Sequence, residues 1–184
     1  MRKIAACTRL LAVEGDLEYD DAKTEGEITV KLIECIPDSQ DAIELMAELS
    51  DCLQGITGDS GANSFDPQDV IGERAVFLIA YGEQTGEALG CGAIRPMGGT
   101  VAELKRMYAR RPGVGTAVLQ ELERRARAFG YAAIRLETRL VNERAVSFYE
   151  KKGYRRIPNY GKYEGHPEAV CFEKLLEQDV KPQY

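Results

Sequence analysis

The segment best equipped for chemistry is Glu103-Leu-Lys-Arg-Met-Tyr-Ala-Arg-Arg-Pro-Gly-Val-Gly-Thr116, which reads as a strand running through a glycine turn into a helix. Glycines at such a turn let the backbone approach a ligand closely. The helix N-terminus beyond them offers unpaired N–H groups and the positive end of the helix dipole. Together these make an anion site, and Arg110 and Arg111 add positive charge to it. Other phosphate patterns fit worse: no Gly-Lys-Ser/Thr is present for a P-loop, and a dinucleotide fingerprint needs glycine where Val118 stands. Gly58-Asp-Ser60-Gly61 imitates a serine-protease nucleophile sequence. The one histidine, His166, falls in the wrong order for that arrangement and reads as a solvated loop residue.

The cysteines add no further chemistry. Cys7, Cys35, Cys52, Cys91 and Cys171 are odd in number, scattered, and form no C-x-x-C pair, so neither a metal site nor a disulfide framework is expected. Buried free thiols are the simplest reading, which makes this a reduced, cytoplasmic protein. Thr8, Arg9 and Glu14 interrupt any leader-like stretch at the start, and no run approaches the roughly 18 apolar residues of a membrane helix.

Charge is divided unevenly. The 184 residues carry a net −6, but residues 1–100 hold 7 basic against 19 acidic side chains, whereas residues 101–184 hold 17 against 11. An anionic ligand is therefore expected at the second half. Its arginines lie at helix spacing among glutamates, the pattern of a solvated face, so no nucleic-acid partner is expected.

The elements that must position the glycine turn follow from periodicity. Residues 1–28, with a short helix read at 4–13 and an acidic run after it, are expected to form a partly mobile extension, residues 29–176 the domain and 177–184 a tail. A strand at 28–36 leads to a helix capped by Asp38, with Ile43, Met46, Leu49 and Leu53 on its stripe and Gly55 at its end. A polar loop follows, then a three-strand meander at 75–81, 88–94 and 100–109, with Pro96-Met-Gly-Gly99 as its second turn. The helix after Gly115 buries Val118, Leu119, Leu122, Ala126 and Phe129 and turns Glu121, Glu123 and its arginines outward. A strand at 132–137, a helix capped by Asn142, and strands at 154–157 and 169–174 complete the order β-α-β-β-β-α-β-α-β-β, an α/β (α+β) fold with a mixed sheet and helices on its faces.

Two motifs in this order resemble the GNAT superfamily of acetyl-CoA-dependent N-acetyltransferases. Arg110-Arg-Pro-Gly113-Val-Gly115 matches the family's Arg/Gln-x-x-Gly-x-Gly/Ala turn, and Asn142-Glu-Arg-Ala145-Val-Ser-Phe148-Tyr149-Glu-Lys-Lys-Gly153-Tyr154 is similar to its later Asn/Phe-Tyr/Gly signature. The resemblance covers roughly residues 29–176 and implies a mostly antiparallel sheet of six to seven strands. It further implies that backbone groups of Met107, Tyr108 and Ala109 bond the pantetheine arm of acetyl-CoA, that N–H groups from Arg111 through Gly113, Val114, Gly115 and Thr116 hold the pyrophosphate, and that Arg110 belongs to the same cofactor site. Asn142 would lie beside the pantetheine and Tyr149 near the thioester sulfur. The turn departs from the family in lacking a few residues after Ala109, and Pro112 has no N–H to offer.

Acetyl transfer to an amine needs a neutral amine, donors for a developing oxyanion, and a proton for the departing thiolate. An alkylamine with a pKa of about 10 must be deprotonated, and Glu103 is the expected base. Tyr149, a phenol that stays protonated at neutral pH, is the expected acid, and a backbone N–H near Met107 the oxyanion donor. The acceptor, a primary amine of a small molecule or peptide, is expected to enter between the first helix, its loop and the segment carrying Tyr160, Lys162, Tyr163 and Glu164. Asp59 and Asp66 there are expected to attract its positive charge. A sensor of the same fold that binds acetyl-CoA without turnover is the competing function, and a homodimer is left open.

Overall fold

The computed structural model describes residues 29–177; the expected helix at 4–13, the rest of the extension, and residues 178–184 lie outside the described residues. Seven strands, β1 (Val30–Glu34), β2 (Val76–Gly82), β3 (Ala88–Gly98), β4 (Val101–Ala109), β5 (Ala133–Arg139), β6 (Arg155–Ile157) and β7 (Ala169–Leu175), form one sheet in the order β1-β2-β3-β4-β5-β7-β6. Every neighbouring pair is antiparallel except β4 with β5. The expected mixed, mostly antiparallel sheet is what forms.

Strand alternation divides the core into two faces. Along β2, Phe77 and Ile79 pack with Ala42 and Leu45 of helix α1 (Gln40–Thr57), whereas Val76, Leu78 and Ala80 pack with Val118 and Leu122 of helix α2 (Val114–Ala128). Helix α3 (Glu143–Lys151) adds Val146 and Tyr149 to the α2 face. Each fully buried side chain of the Leu or Ile kind contributes about 1.5–3 kcal/mol, so burial on both faces fixes the helices against the sheet.

Local chemistry sets several boundaries differently from the sequence reading. Ser39, not Asp38, caps α1, its hydroxyl accepting from Ala42 N at 3.4 Å. The helix continues through Gly55 to Gly58, which supplies the left-handed C-cap at φ 75° and donates to Gln54 O. The buried stripe is Ala42, Leu45 and Leu49, while Ile43 is exposed. Strand β3 runs through Pro96 instead of turning there; β2 pairs no further than Val76–Ile94, so Pro96 stands where β3 has a partner strand, β4, on one side only, a position that tolerates proline. Glu123 is also turned inward: Lys174 donates to both its carboxylate oxygens, at 2.9 and 2.8 Å, which lets a charge sit under α2.

Candidate functional site

Strands β4 and β5 pair only through Val101–Glu103 opposite Ala133–Arg135. Beyond Leu104 they part, and the β4 edge facing β5 has no partner strand out to Ala109. A bulge accompanies the parting. Cys91 pairs with Tyr108 and Ala93 with Lys105, so Arg106 and Met107 together oppose Gly92. Arg106 sits at φ 55°, a left-handed conformation costing a non-glycine residue about 1–3 kcal/mol.

That strain redirects side chains. Leu104 packs on the α2 face, and Lys105 reaches the opposite face, donating to Tyr163 Oη at 3.0 Å. Alternation would return Arg106 to the α2 face. Instead the bulge keeps it beside Lys105, its guanidinium 5.2 Å from the Phe65 ring centre and Nη2 donating to Gly61 O at 3.1 Å. Met107 then rejoins the α2 core over Gly92, where an added Cβ would lie 2.5 Å from its Sδ.

The parting opens into a cavity of about 360 Å³, a usual size for a small-molecule site. It reaches both faces of the sheet. Asn142, Ala145 and Tyr149 line it from the α3 side, and Asp59, Lys162 and Tyr163 from the α1 side. Between them on β5 stands Glu137, in register with Cys171 and therefore on the α1 face. Its Oε1 is buried without a hydrogen-bond partner, and the nearest cation is Arg139 Nε at 3.8 Å. Burial holds the Glu137 carboxyl above the ordinary carboxylate range, against the pull of Arg139, Lys105 and a Tyr163 hydrogen bond.

The residues singled out from sequence fall into three groups. Tyr149 and Asn142 line the cavity together with Met107. Tyr149 is buried, its ring edge-on to Phe148 and Tyr154, and burial raises its phenol well above the usual value. Asn142 Oδ1 caps α3 by accepting from Ala145 N, a use that does not engage its Nδ2 donors. Gly113, at φ 82°, precedes Val114, Gly115 and Thr116 at the start of α2, and no side chain caps that terminus. Tyr108 and Ala109 continue the open β4 edge toward it, and Arg111 is exposed beside it.

Glu103 and Arg110 belong elsewhere. The Glu103 carboxylate is held by Arg95, through Nε at 2.9 Å and Nη2 at 2.7 Å, and by Lys105 Nζ at 3.1 Å; it is not among the cavity-lining residues. Arg110 does not lend its charge to the glycine turn. It forms a two-point pair with Glu48 of α1, at 2.9 and 2.6 Å, and donates to Ala88 O, while its backbone N–H is spent on Leu89 O. The expected acidic lining also changes. Asp66 caps a short turn by accepting from Gln68 N and stays outside the cavity, and Asp59 accepts from Gly61 N. Lys105, Arg106, Arg139 and Lys162 make the lining predominantly basic. His166 is exposed, as read, but stands at the cavity rim against Glu168.

Glu137 and Arg106 were passed over in the sequence. A carboxylate ending the apolar run at 132–137 is a usable signal for the first. Nothing in the sequence marks a left-handed residue inside β4 for the second.

Among the described residues no helix is long and apolar enough to cross a membrane, and no cluster of three or more His, Cys, Asp or Glu side chains is placed to hold a metal. Cys91 is buried and its thiol pushed up to about 12, and burial also raises Cys171, so neither is poised for thiolate chemistry.

Residues 42–154 match the model of the acetyltransferase (GNAT) family. The chain is 32% identical over 143 residues to an IAA acetyltransferase of Azospirillum brasilense, covering 74% of this chain and 92% of that one. Its fold is similar to that of a candidate acyl-CoA N-acyltransferase of Klebsiella pneumoniae, with 29% identity, a TM-score of 0.67, and coverage of 80% and 98%. An acetyltransferase of Streptococcus agalactiae, at 20% identity, shares the fold with a TM-score of 0.66 over 80% and 98% of the two chains.

Proposed function

Because the chain belongs to the GNAT acetyltransferase family and is an N-acyltransferase by kinship, we propose that it moves an acetyl group from acetyl-CoA to a primary amine by direct attack. The single observation that carries this reading is the parting of β4 and β5, with an uncapped helix N-terminus at one end and Tyr149 and Glu137 lining the slot. The residues present suit a CoA thioester. An open strand edge accepts an extended amide-bearing arm as if it were another strand, and Met107, Tyr108 and Ala109 provide that edge. The α2 N-terminus, with Gly113 to Thr116 and Arg111, suits a diphosphate. Acetyl-CoA would supply the activated acyl group; everything else falls to this chain.

Glu137 is the base in this reading, in place of Glu103. Glu103 is occupied by Arg95 and Lys105, whereas Glu137 has an unpartnered oxygen and a raised pKa, both of which suit proton uptake from an ammonium. Tyr149 Oη is the donor of a proton to the departing sulfur, and its position across the slot keeps acid and base apart. Asn142 Nδ2 lies on the Tyr149 side, suited to orient the arm.

Free-thiol release from acetyl-CoA over a panel of small amines and N-terminal peptides tests the proposal. Turnover that Tyr149→Phe lowers at least tenfold supports it. Tight binding of acetyl-CoA with no turnover of any amine would instead favour a sensor of the same fold.

A further inference from the structure

Among the described residues, the basic lining of the acceptor side is only partly balanced by carboxylates. On the α1 face of the slot, Lys105 is balanced by Glu103, and Arg139 by Glu168, Asp59 and Glu137. Arg106 is different. It is half-buried, and among the described residues Cys91, a thiol that burial keeps neutral, is the one titratable group that acts on it. Among the described residues it pairs with no carboxylate. Of its five N–H donors, one, on Nη2, has a protein acceptor, Gly61 O, and Nε is buried with none. Lys162, exposed above the Tyr163 ring at the same cavity, likewise pairs with no carboxylate among the described residues. A half-buried guanidinium left without an acid is costly, and here the backbone is also strained to hold it on the acceptor face.

We propose that Arg106, with Lys162, forms a carboxylate subsite, so that the acceptor is an amine whose other end carries a carboxylate, as in an amino acid or a short peptide. A carboxylate matches the planar fork of a guanidinium better than any neutral group of similar size. The phosphates of the cosubstrate do not compete for this place in the reading above, because the glycine turn at Gly113–Thr116 lies outside the cavity lining. Glu137, on the same face, stands at the amine end, so the two ends of one small acceptor are read by opposite charges.

This inference rests on the acceptor side of the proposed transferase site, and its test separates the two. N-acetyl amino acids and their carboxamides serve as probes in thermal-shift titrations of the wild type, Lys162→Gln, and two Arg106 variants. Arg106→Gln removes the charge, and Arg106→Gly removes it while also relieving the left-handed strain, so the second variant tests the charge without a backbone penalty at this position. The expected result is stabilisation of the wild type by the carboxylates, at least tenfold weaker apparent binding of the carboxamides, and loss of that difference in both Arg106 variants. Equal responses to acid and amide, no response to either, or a preference that survives Arg106→Gly would each overturn the subsite. Thiol release is read in parallel with the free amino acids and amino acid amides. Turnover with no carboxylate preference removes the subsite and leaves the transferase; Arg106-dependent carboxylate binding with no turnover of any amine removes the transferase and leaves the subsite.

Discussion

The two ends of the β4–β5 pair treat charge in opposite ways. At the joined end, Glu103 is fixed by Arg95 and Lys105, and Arg135 donates to Glu173 across the sheet at 2.7 Å. Every one of those charges has a partner at hydrogen-bond distance. At the parted end, two or three residues away, Glu137 keeps a buried oxygen with no hydrogen-bond partner, and Arg106, held beside Lys105 at a left-handed φ, pairs with no carboxylate among the described residues. Fully partnered charges at this depth hold strands together; incompletely partnered ones carry a desolvation cost that a bound ligand can offset. In the proposed reading, partnering sorts the same residue types: Glu103 and Arg135 are spent on holding strands, whereas Glu137 and Arg106 are left to meet a substrate.

The largest effect that could break this contrast comes from Glu137→Gln. As the proposed base, its loss is expected to lower kcat/KM about 10³-fold, within the usual range for a positioned proton acceptor. Its pKa is raised in the folded protein, so the folded state binds the proton more readily than the unfolded chain. Stability contributed by that proton is lost as pH rises from the ordinary carboxylate value through the raised one. Glu137→Gln should accordingly melt no lower than the wild type at pH 7, and the acid limb of the wild-type pH–rate profile, set above the usual carboxylate range, should disappear. A variant that is both inactive and unstable would place Glu137 with the structural charges.

Tyr149→Phe should follow, with about a 10²-fold loss in kcat and little change in acceptor KM. The phenol is buried and its ring packs on Phe148 and Tyr154, contacts that phenylalanine keeps. A KM effect with kcat unchanged would show that Tyr149 shapes the slot instead of donating a proton.

How far the sequence carried this picture depends on what kind of interaction decides each feature. The element order, the two-faced core and the glycine turn were readable because each follows from local periodicity or from a residue with special backbone freedom, such as Gly113. The roles of Glu103 and Arg110 were not, because both depend on partners distant in sequence: Glu48 lies 62 residues from Arg110. Position on β4 made Glu103 look available; Arg95, eight residues back on β3, makes it unavailable. The predominantly basic charge of the cavity lining was not legible for a related reason. Half-chain charge averages treat Asp66 and Arg106 alike, whereas a turn consumes the first and a bulge displays the second.

Glu103→Gln sharpens the comparison from the joined end. It should leave Lys105 and one edge of Arg95 without a counter-charge in a buried site and lower stability by about 2–3 kcal/mol. Activity per folded molecule should stay within a few-fold of wild type. Chemical denaturation measures the first and kcat on soluble variant the second. A thousandfold loss of kcat with normal stability would return the base to Glu103.

The smallest effect concerns Arg110, which lies at the far end of the open edge but is fully partnered. If partnering and not position sorts the charges, Glu48→Gln should act on stability alone. The pair is partly solvated, with Glu48 two-fifths exposed, so the expected loss is only about 0.5–1 kcal/mol. The Arg110 hydrogen bonds lower the Glu48 pKa, so this contribution is present above the ordinary carboxylate value and fades as pH falls through the depressed one. Wild type and Glu48→Gln should therefore differ in Tm at pH 7 and converge in acid, with acetyl-CoA KM unchanged. A several-fold rise in acetyl-CoA KM would instead mean that Glu48 holds Arg110 for the cosubstrate, and that a partnered charge at the parted end is not merely structural.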